Sequence, residues 1–153
     1  MKKLIFAFFL LWANVCAAEV VVKDGDSLEV DGVRVRLDGI DAPEFLQTCE
    51  DKNGADYECG QESLQHLQEL IADKEVRCDC AEKVDRFNRQ ICECFAGEIS
   101  LNREMVRSGW ARTYRDDKFA KEEETAENHK RGIWQGRHMR PALYRVLHRY
   151  EKK

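Results

Sequence analysis

Residues 24–38 read Asp24-Gly25-Asp26-Ser27-Leu28-Glu29-Val30-Asp31-Gly32-Val33-Arg34-Val35-Arg36-Leu37-Asp38, and this run decides the fold. Asp31-Gly32 separates two alternating segments, the strongest short-range signal for a hairpin with a two-residue turn. A turn centred there places Leu37 opposite Asp26, which makes Arg36 and Asp38 near neighbours of Asp26 on the facing strand. Val33, Val35 and Leu37 share one face of that strand, while Arg34, Arg36 and Asp38 share the other. Arg36 therefore emerges from a strand whose opposite side is core. Asp24 and Asp26 lie at the preceding turn, where short carboxylates commonly hydrogen-bond their own backbone, and Asp24 is assigned to that role alone.

Working outward, residues 61–72 carry Leu64, Leu67, Leu70 and Ile71 as one apolar helical stripe. Residues 74–83 and 88–96 form a second hairpin pattern. A short helix over 101–108 ends at Gly109, where a left-handed cap is easiest for glycine. A longer helix over 117–131 stops at Gly132, and Glu122-Glu123-Glu124 reads as its solvated face. No internal repeat or low-complexity linker interrupts the chain. Strands followed by helices packed around them define an α+β domain.

The first 18 residues have the pattern of a secretory signal. Lys2 and Lys3 precede an apolar run from Leu4 to Trp12, and Cys16-Ala17-Ala18 supplies small residues before Glu19. That run is short of the roughly 20 apolar residues that span a bilayer. The expected mature domain is residues 19–153, without stable membrane association once the signal is removed. The chain has seven cysteines; leaving out Cys16, six remain, an even number that suits disulfides in an oxidising compartment. The net charge is −4, yet the last 25 residues are strongly basic. An acidic chain is poorly suited to coating DNA, which relies on neutralising many phosphates. An enzyme needs only a local basic site.

Five residues carry the chemistry: Asp26, Arg36, Asp41, Glu44 and Arg89, in the phrases Asp24-Gly25-Asp26-Ser27, Arg36-Leu37-Asp38-Gly39-Ile40-Asp41-Ala42-Pro43-Glu44 and Asp85-Arg86-Phe87-Asn88-Arg89. Carboxylate oxygens suit a hard divalent cation, a further carboxylate can orient or deprotonate water, and planar guanidiniums clamp phosphate oxygens. Pro43 locks its own φ and biases Ala42 towards extended geometry, making a rigid corner before Glu44.

In this order the five residues closely resemble the staphylococcal nuclease family, over about Val20 to Tyr144. The resemblance implies a five-stranded OB-type β-barrel with three packed helices. It implies calcium held by Asp26, Asp41 and the backbone carbonyl of Ala42, with Arg36, Glu44 and Arg89 as catalytic residues. Too few protein ligands for calcium's usual six to eight means that water and substrate phosphate complete the shell. Ala42 stands where the family has threonine, a change a backbone ligand survives. Arg86 and Phe87 match positions at which the family contacts phosphate through lysine and tyrosine. Phe87 can stack but cannot donate. Tyr114 is a further candidate for the nucleotide pocket. The substrates implied are DNA and RNA, cut to leave 3′-phosphate ends by a monomeric enzyme that bacteria secrete or keep in the periplasm.

Cys78-Asp79-Cys80 and Cys92-Glu93-Cys94 are symmetric about residue 86, so a regular hairpin sets 78 opposite 94 and 80 opposite 92, within disulfide reach. Cys49 and Cys59 close a short local loop. The expected pairs are Cys49–Cys59, Cys78–Cys94 and Cys80–Cys92, extra bridges of the kind that the resemblance assigns to the family's secreted bacterial branch. Four thiolates on one hairpin can instead hold zinc, and that alternative stays open here. The four histidines read as solvated or packing residues, Trp134 as core, and Arg140, Arg145 and Arg149 as a solvated tail or a weak nucleic-acid-facing patch. Two other functions compete with the nuclease: a nuclease-like barrel kept as a binding module, and a disulfide-rich envelope protein.

Overall fold

The computed structural model describes residues 18–148. The signal segment therefore lies outside the described residues but for Ala18, and Arg149 lies outside them too. In chain order the strands and helices are β1 (Val20–Asp24), β2 (Ser27–Val30), β3 (Val33–Leu37), β4 (Ile40–Asp41), β5 (Cys49–Glu50), β6 (Asp56–Tyr57), α1 (Cys59–Ile71), β7 (Val76–Val84), β8 (Gln90–Ala96), β9 (Ile99–Ser100), α2 (Leu101–Arg107), β10 (Arg112–Thr113), α3 (Ala120–Asn128), a 3₁₀ turn (Gly132–Gln135) and α4 (Pro141–Leu147).

The main sheet runs β1-β2-β3-β8-β7, with β9 added to β8. All neighbours are antiparallel except β3 and β8, which run parallel and join the two hairpins. This is the α+β, OB-type curl expected. Asp31 and Gly32 both have positive φ, at 49° and 80°, as the two-residue turn between β2 and β3 requires. The register follows from it: Ser27 faces Arg36 and Leu28 faces Val35, and the Leu37 N–H donates to the Asp26 carbonyl at 2.8 Å. Val35 and Leu37 are buried with Leu28, Leu67, Leu101 and Met105. Asn102 pins the parallel seam from beneath. Its side-chain amide donates to the carbonyls of Asp38 and Cys92, and its oxygen accepts from the Cys94 N–H.

The second hairpin pairs Cys78 with Cys94 and Cys80 with Cys92, then slips so that Val84 faces Gln90. All three expected disulfides are present, Cys49–Cys59, Cys78–Cys94 and Cys80–Cys92. They leave no thiolates on the hairpin for zinc. Cys49–Cys59 belongs to a second small core with Ile133, covered by Tyr57, Trp110 and Trp134.

Two helices depart from expectation. α3 is shorter than residues 117–131, because Phe119 is drawn fully into the core with a non-helical backbone at its start. At its other end Lys130 turns left-handed at φ 54°. The count of packed helices is four among the described residues, not three. α4 begins at Pro141, whose fixed φ suits the first helical position. Its apolar residues Leu143, Val146 and Leu147 stay about half exposed, so it has no buried apolar stripe to announce it in the sequence. Glu122-Glu123-Glu124 is only partly a solvated face, since Glu122 pairs with Arg103 and Glu123 with Arg112.

Candidate active site

The strand alternation that buries Val35 and Leu37 turns Arg36 to the opposite face, into a cleft that also holds Asp24, Asp26, Glu44, Arg86, Phe87, Arg89, Tyr114 and Arg145. The cleft measures about 820 Å³. Asp26 is buried at the mouth of the first turn, where its Oδ2 accepts the Ala42 N–H at 3.0 Å and its Oδ1 accepts the Ser27 hydroxyl at 3.0 Å. Gly25 is required beside it: a Cβ there would come within 1.9 Å of the Ser63 hydroxyl and 2.8 Å of the Ala42 methyl.

Arg36 lies between two of the carboxylates. Its Nη1 is 2.5 Å from Asp26 Oδ2 and its Nη2 is 3.3 Å from Asp41 Oδ1, while Nη2 also donates to the Ile40 carbonyl at 3.0 Å. The Nη1 contact is an ion pair without hydrogen-bond alignment. Arg89 is aimed by its own turn. Its Nε and Nη2 both reach Asp85 Oδ2, and its Nη1 donates to the Ser27 hydroxyl at 2.8 Å. Burial works against the Asp85 charge, but hydrogen bonds from Arg89 and the Phe87 N–H hold its carboxyl below the ordinary aspartate range. Ser27 thus links Arg89 to Asp26.

Glu44 sits on a fastened corner. Gln47, fully buried, accepts the Glu44 N–H at 3.3 Å and donates to the Met139 carbonyl at 2.8 Å. The Gln47 N–H in turn donates to the Glu44 carbonyl at 2.8 Å. Gly60 in the first turn of α1 packs flat against that same carbonyl, and the Cys49–Cys59 bridge holds the loop's far end to α1.

Sequence reasoning missed two members of this cluster. Arg145 was assigned to a solvated tail or a surface patch; instead its Nη1 donates to Glu44 Oε1 at 2.7 Å and its Nη2 lies 2.9 Å from Asp41 Oδ1. A cation 101 residues from its partner leaves no local spacing signal. Asp24 does accept the Asp26 N–H, as a turn residue should, but it also lines the cleft. Burial, and after it the Asp26 charge, push its carboxyl up to about 7. Burial likewise raises Asp41 above the ordinary range, opposed by Arg145 and Arg36.

The substrate-side candidates form the outer rim. Phe87 is 53 % exposed, with the Arg86 and Arg89 guanidiniums 4.7 and 5.4 Å from its ring centre. Tyr114 is anchored by its N–H to the Gly39 carbonyl, placing its ring beside the cleft with Arg115 over it.

Among the described residues no group of three His, Cys, Asp or Glu side chains converges as a ready-made metal cluster. A two-carboxylate oxygen set still fits a calcium ion that keeps much of its water. Asp26 and Asp41 both lie against Arg36, at 2.5 and 3.3 Å, which gathers the two carboxylates at one place.

Residues 34–136 match the family model described as staphylococcal nuclease homologue. The chain belongs to that family. It is 36 % identical over 140 residues to the succinoglycan biosynthesis protein ExoI of Rhizobium meliloti (strain 1021), covering 85 % of this chain and 73 % of that protein. It is 33 % identical over 139 residues to an uncharacterized endonuclease of Escherichia coli O157:H7, covering 85 % and 84 %. A probable staphylococcal-like nuclease of Oryza sativa subsp. japonica is 35 % identical over 104 residues, 65 % of this chain and 19 % of that larger protein. The family model takes in Arg36, Asp41, Glu44 and Arg89 but begins after Asp26 and ends before α4.

Proposed function

We propose that the chain is a monomeric, calcium-dependent nuclease that hydrolyses the phosphodiester bonds of DNA and RNA and leaves 3′-phosphate ends. The observation that carries the reading is one cleft lined by Asp26, Arg36, Glu44 and Arg89, with Asp41 paired to Arg36 and Arg89 tied to Asp26 through the Ser27 hydroxyl. Asp26, Asp41 and the Ala42 carbonyl would hold the calcium ion, which when bound supplies positive charge to the phosphate oxygens.

The remaining work falls to the chain's own groups. Glu44 is the carboxylate placed to orient the attacking water and accept its proton. The water oxygen bonds to phosphorus in line with the 5′ oxygen, whose bond to phosphorus breaks. The 5′ oxygen takes a proton from solvent water and departs as a hydroxyl, Glu44 returns its proton to solvent, and phosphate stays on the 3′ side. Arg36, on the cleft wall, and Arg89, braced by Asp85, would share the growing charge on the equatorial oxygens. Arg86, Phe87 and Tyr114 would meet the neighbouring nucleotide, with Phe87 and Tyr114 offering ring faces for stacking.

Export to the periplasm or the medium follows from the leader pattern of residues 1–18. The three disulfides support it, since such bridges persist in oxidising compartments. Among the described residues no helix is long and apolar enough to cross a membrane. A binding module that had given up catalysis would be free to lose members of the five-residue set, and all five are present.

Plasmid DNA incubated with the mature domain and calcium, then with a chelator, tests the reading. Nicking and linearisation are expected with calcium, none after chelation, and a loss of roughly 10²–10⁴-fold in Glu44→Gln. Intact plasmid in calcium at micromolar protein would overturn it.

A further inference from the structure

α4 contributes nothing to the sheet, yet it is fastened to the two residues on which the proposed chemistry turns. The Ala142 N–H donates to Asp41 Oδ2 at 3.1 Å, and Arg145 one turn later takes Asp41 Oδ1 at 2.9 Å. Both oxygens of Asp41 are thereby engaged by one helix. The same guanidinium donates to Glu44 Oε1 at 2.7 Å, and the Tyr144 hydroxyl donates to the Leu46 carbonyl at 3.1 Å on the far side of the Glu44 corner. Burial works against the Arg145 charge, but hydrogen bonds to Glu44 and Asp41 hold it above the ordinary arginine range.

We propose that Arg145 is a positioning residue for the reaction, bridging Asp41 and Glu44 so that the water-handling carboxylate is held at a fixed angle to the cation-binding one. The inference rests on the nuclease reading and deepens it. Glu44 is on a loop and its side chain is about one-third exposed, so its backbone fastening to Gln47 and Gly60 leaves the carboxylate itself free to rotate. A carboxylate with several rotors reaches a productive geometry only part of the time unless something else stops it. A planar guanidinium with two separated donors stops it in a way that a single ammonium does not. The short helix then has a reason to exist: Pro141 sets its start, Ala142 and Tyr144 dock it, and Arg145 is delivered from a rigid element rather than from a tail.

The test is a double-mutant cycle on a fluorogenic oligonucleotide in calcium, using wild type, Arg145→Ala, Glu44→Ala and the double variant. Arg145→Ala should lower kcat roughly 10- to 100-fold, with KM changing less than about threefold. On the Glu44→Ala background the same change should cost less than about twofold. Millimolar methylguanidinium should restore part of the single variant's rate, and Arg145→Lys should recover less than half of the loss. Equal losses on both backgrounds, or a KM that rises as far as kcat/KM falls, would overturn the role of Arg145 while leaving an active nuclease. A wild-type chain that cleaves nothing would instead overturn the reading beneath it. Amide exchange without substrate supplies a readout independent of turnover: protection of the Ala142 amide should fall in Arg145→Ala, and unchanged protection would overturn the bridge.

Discussion

Replacing Gly60 by alanine is the sharpest test of how Glu44 is placed. A Cβ at Gly60 would lie 1.9 Å from the Glu44 carbonyl oxygen, 2.8 Å from its carbon and 2.8 Å from the Phe45 carbonyl oxygen. Ordinary contact begins near 3.4 Å, so the two backbones must separate by about 1.5 Å. All three obstructing atoms are backbone, and none can escape by a rotamer change. The helix itself gains, because alanine is favoured over glycine by about 1 kcal/mol in a helix. Overpacking of this kind costs about 1–3 kcal/mol, so net stability should fall by no more than about 2 kcal/mol. Turnover responds far more. A displacement of about 1 Å at a reacting group typically costs ~10²-fold, and Glu44 would move together with the Gln47 contacts that hold it. Steady-state kinetics on a short oligonucleotide, beside thermal unfolding followed by circular dichroism, read both quantities. The expectation is a drop in kcat/KM of roughly 10²-fold with a modest fall in Tm. Activity within threefold of wild type in a variant of unchanged Tm would show that the α1 contact does not place Glu44.

Calcium should raise Tm by preferential binding to the folded chain, and Asp41→Ala should abolish the shift; calorimetry silent to calcium, with and without a nucleotide analogue, would remove the site. Non-reducing peptide mapping of the exported protein should recover Cys49–Cys59, Cys78–Cys94 and Cys80–Cys92, and reduction should lower stability more than the turnover of whatever stays folded. Six free thiols would refute both the bridges and the compartment. Asp85→Asn should weaken the brace on Arg89 and lower stability at neutral pH. Because the folded-state pKa of Asp85 is depressed, its contribution is present above the ordinary aspartate value and is lost as pH falls through the folded value. The stability difference between wild type and variant should therefore begin to shrink below about pH 4 and disappear only below the depressed folded value, and a difference that ignores pH would argue against the ion pair.

Much of the site was legible because it is built from local rules. Asp31-Gly32 admits one tight turn, that turn sets the β2–β3 register, and the register carries Arg36 to the face shared with Asp26. The cysteine symmetry about residue 86 worked for the same reason: strand pairing is periodic, so equal spacings on two strands meet. The slip to Val84 opposite Gln90 comes after the cysteines and did not disturb them. What the sequence by itself determined is therefore whatever depends on alternation, turn chemistry and short loop closure: the α+β class, the hairpins, the bridges, and the face on which Arg36 stands; the barrel and the place of Arg89 came from the family resemblance. Tertiary structure alone decided what depends on separation in space without separation rules in sequence. The helix at Pro141–Leu147 looked like a basic tail because its worth lies in docking, not in periodicity. Arg145 acquires its partners only when the chain's end folds back on Asp41 and Glu44. Asp24 departs from an ordinary turn carboxylate only because burial and the charge of Asp26 act on it together, and both are properties of the closed cleft.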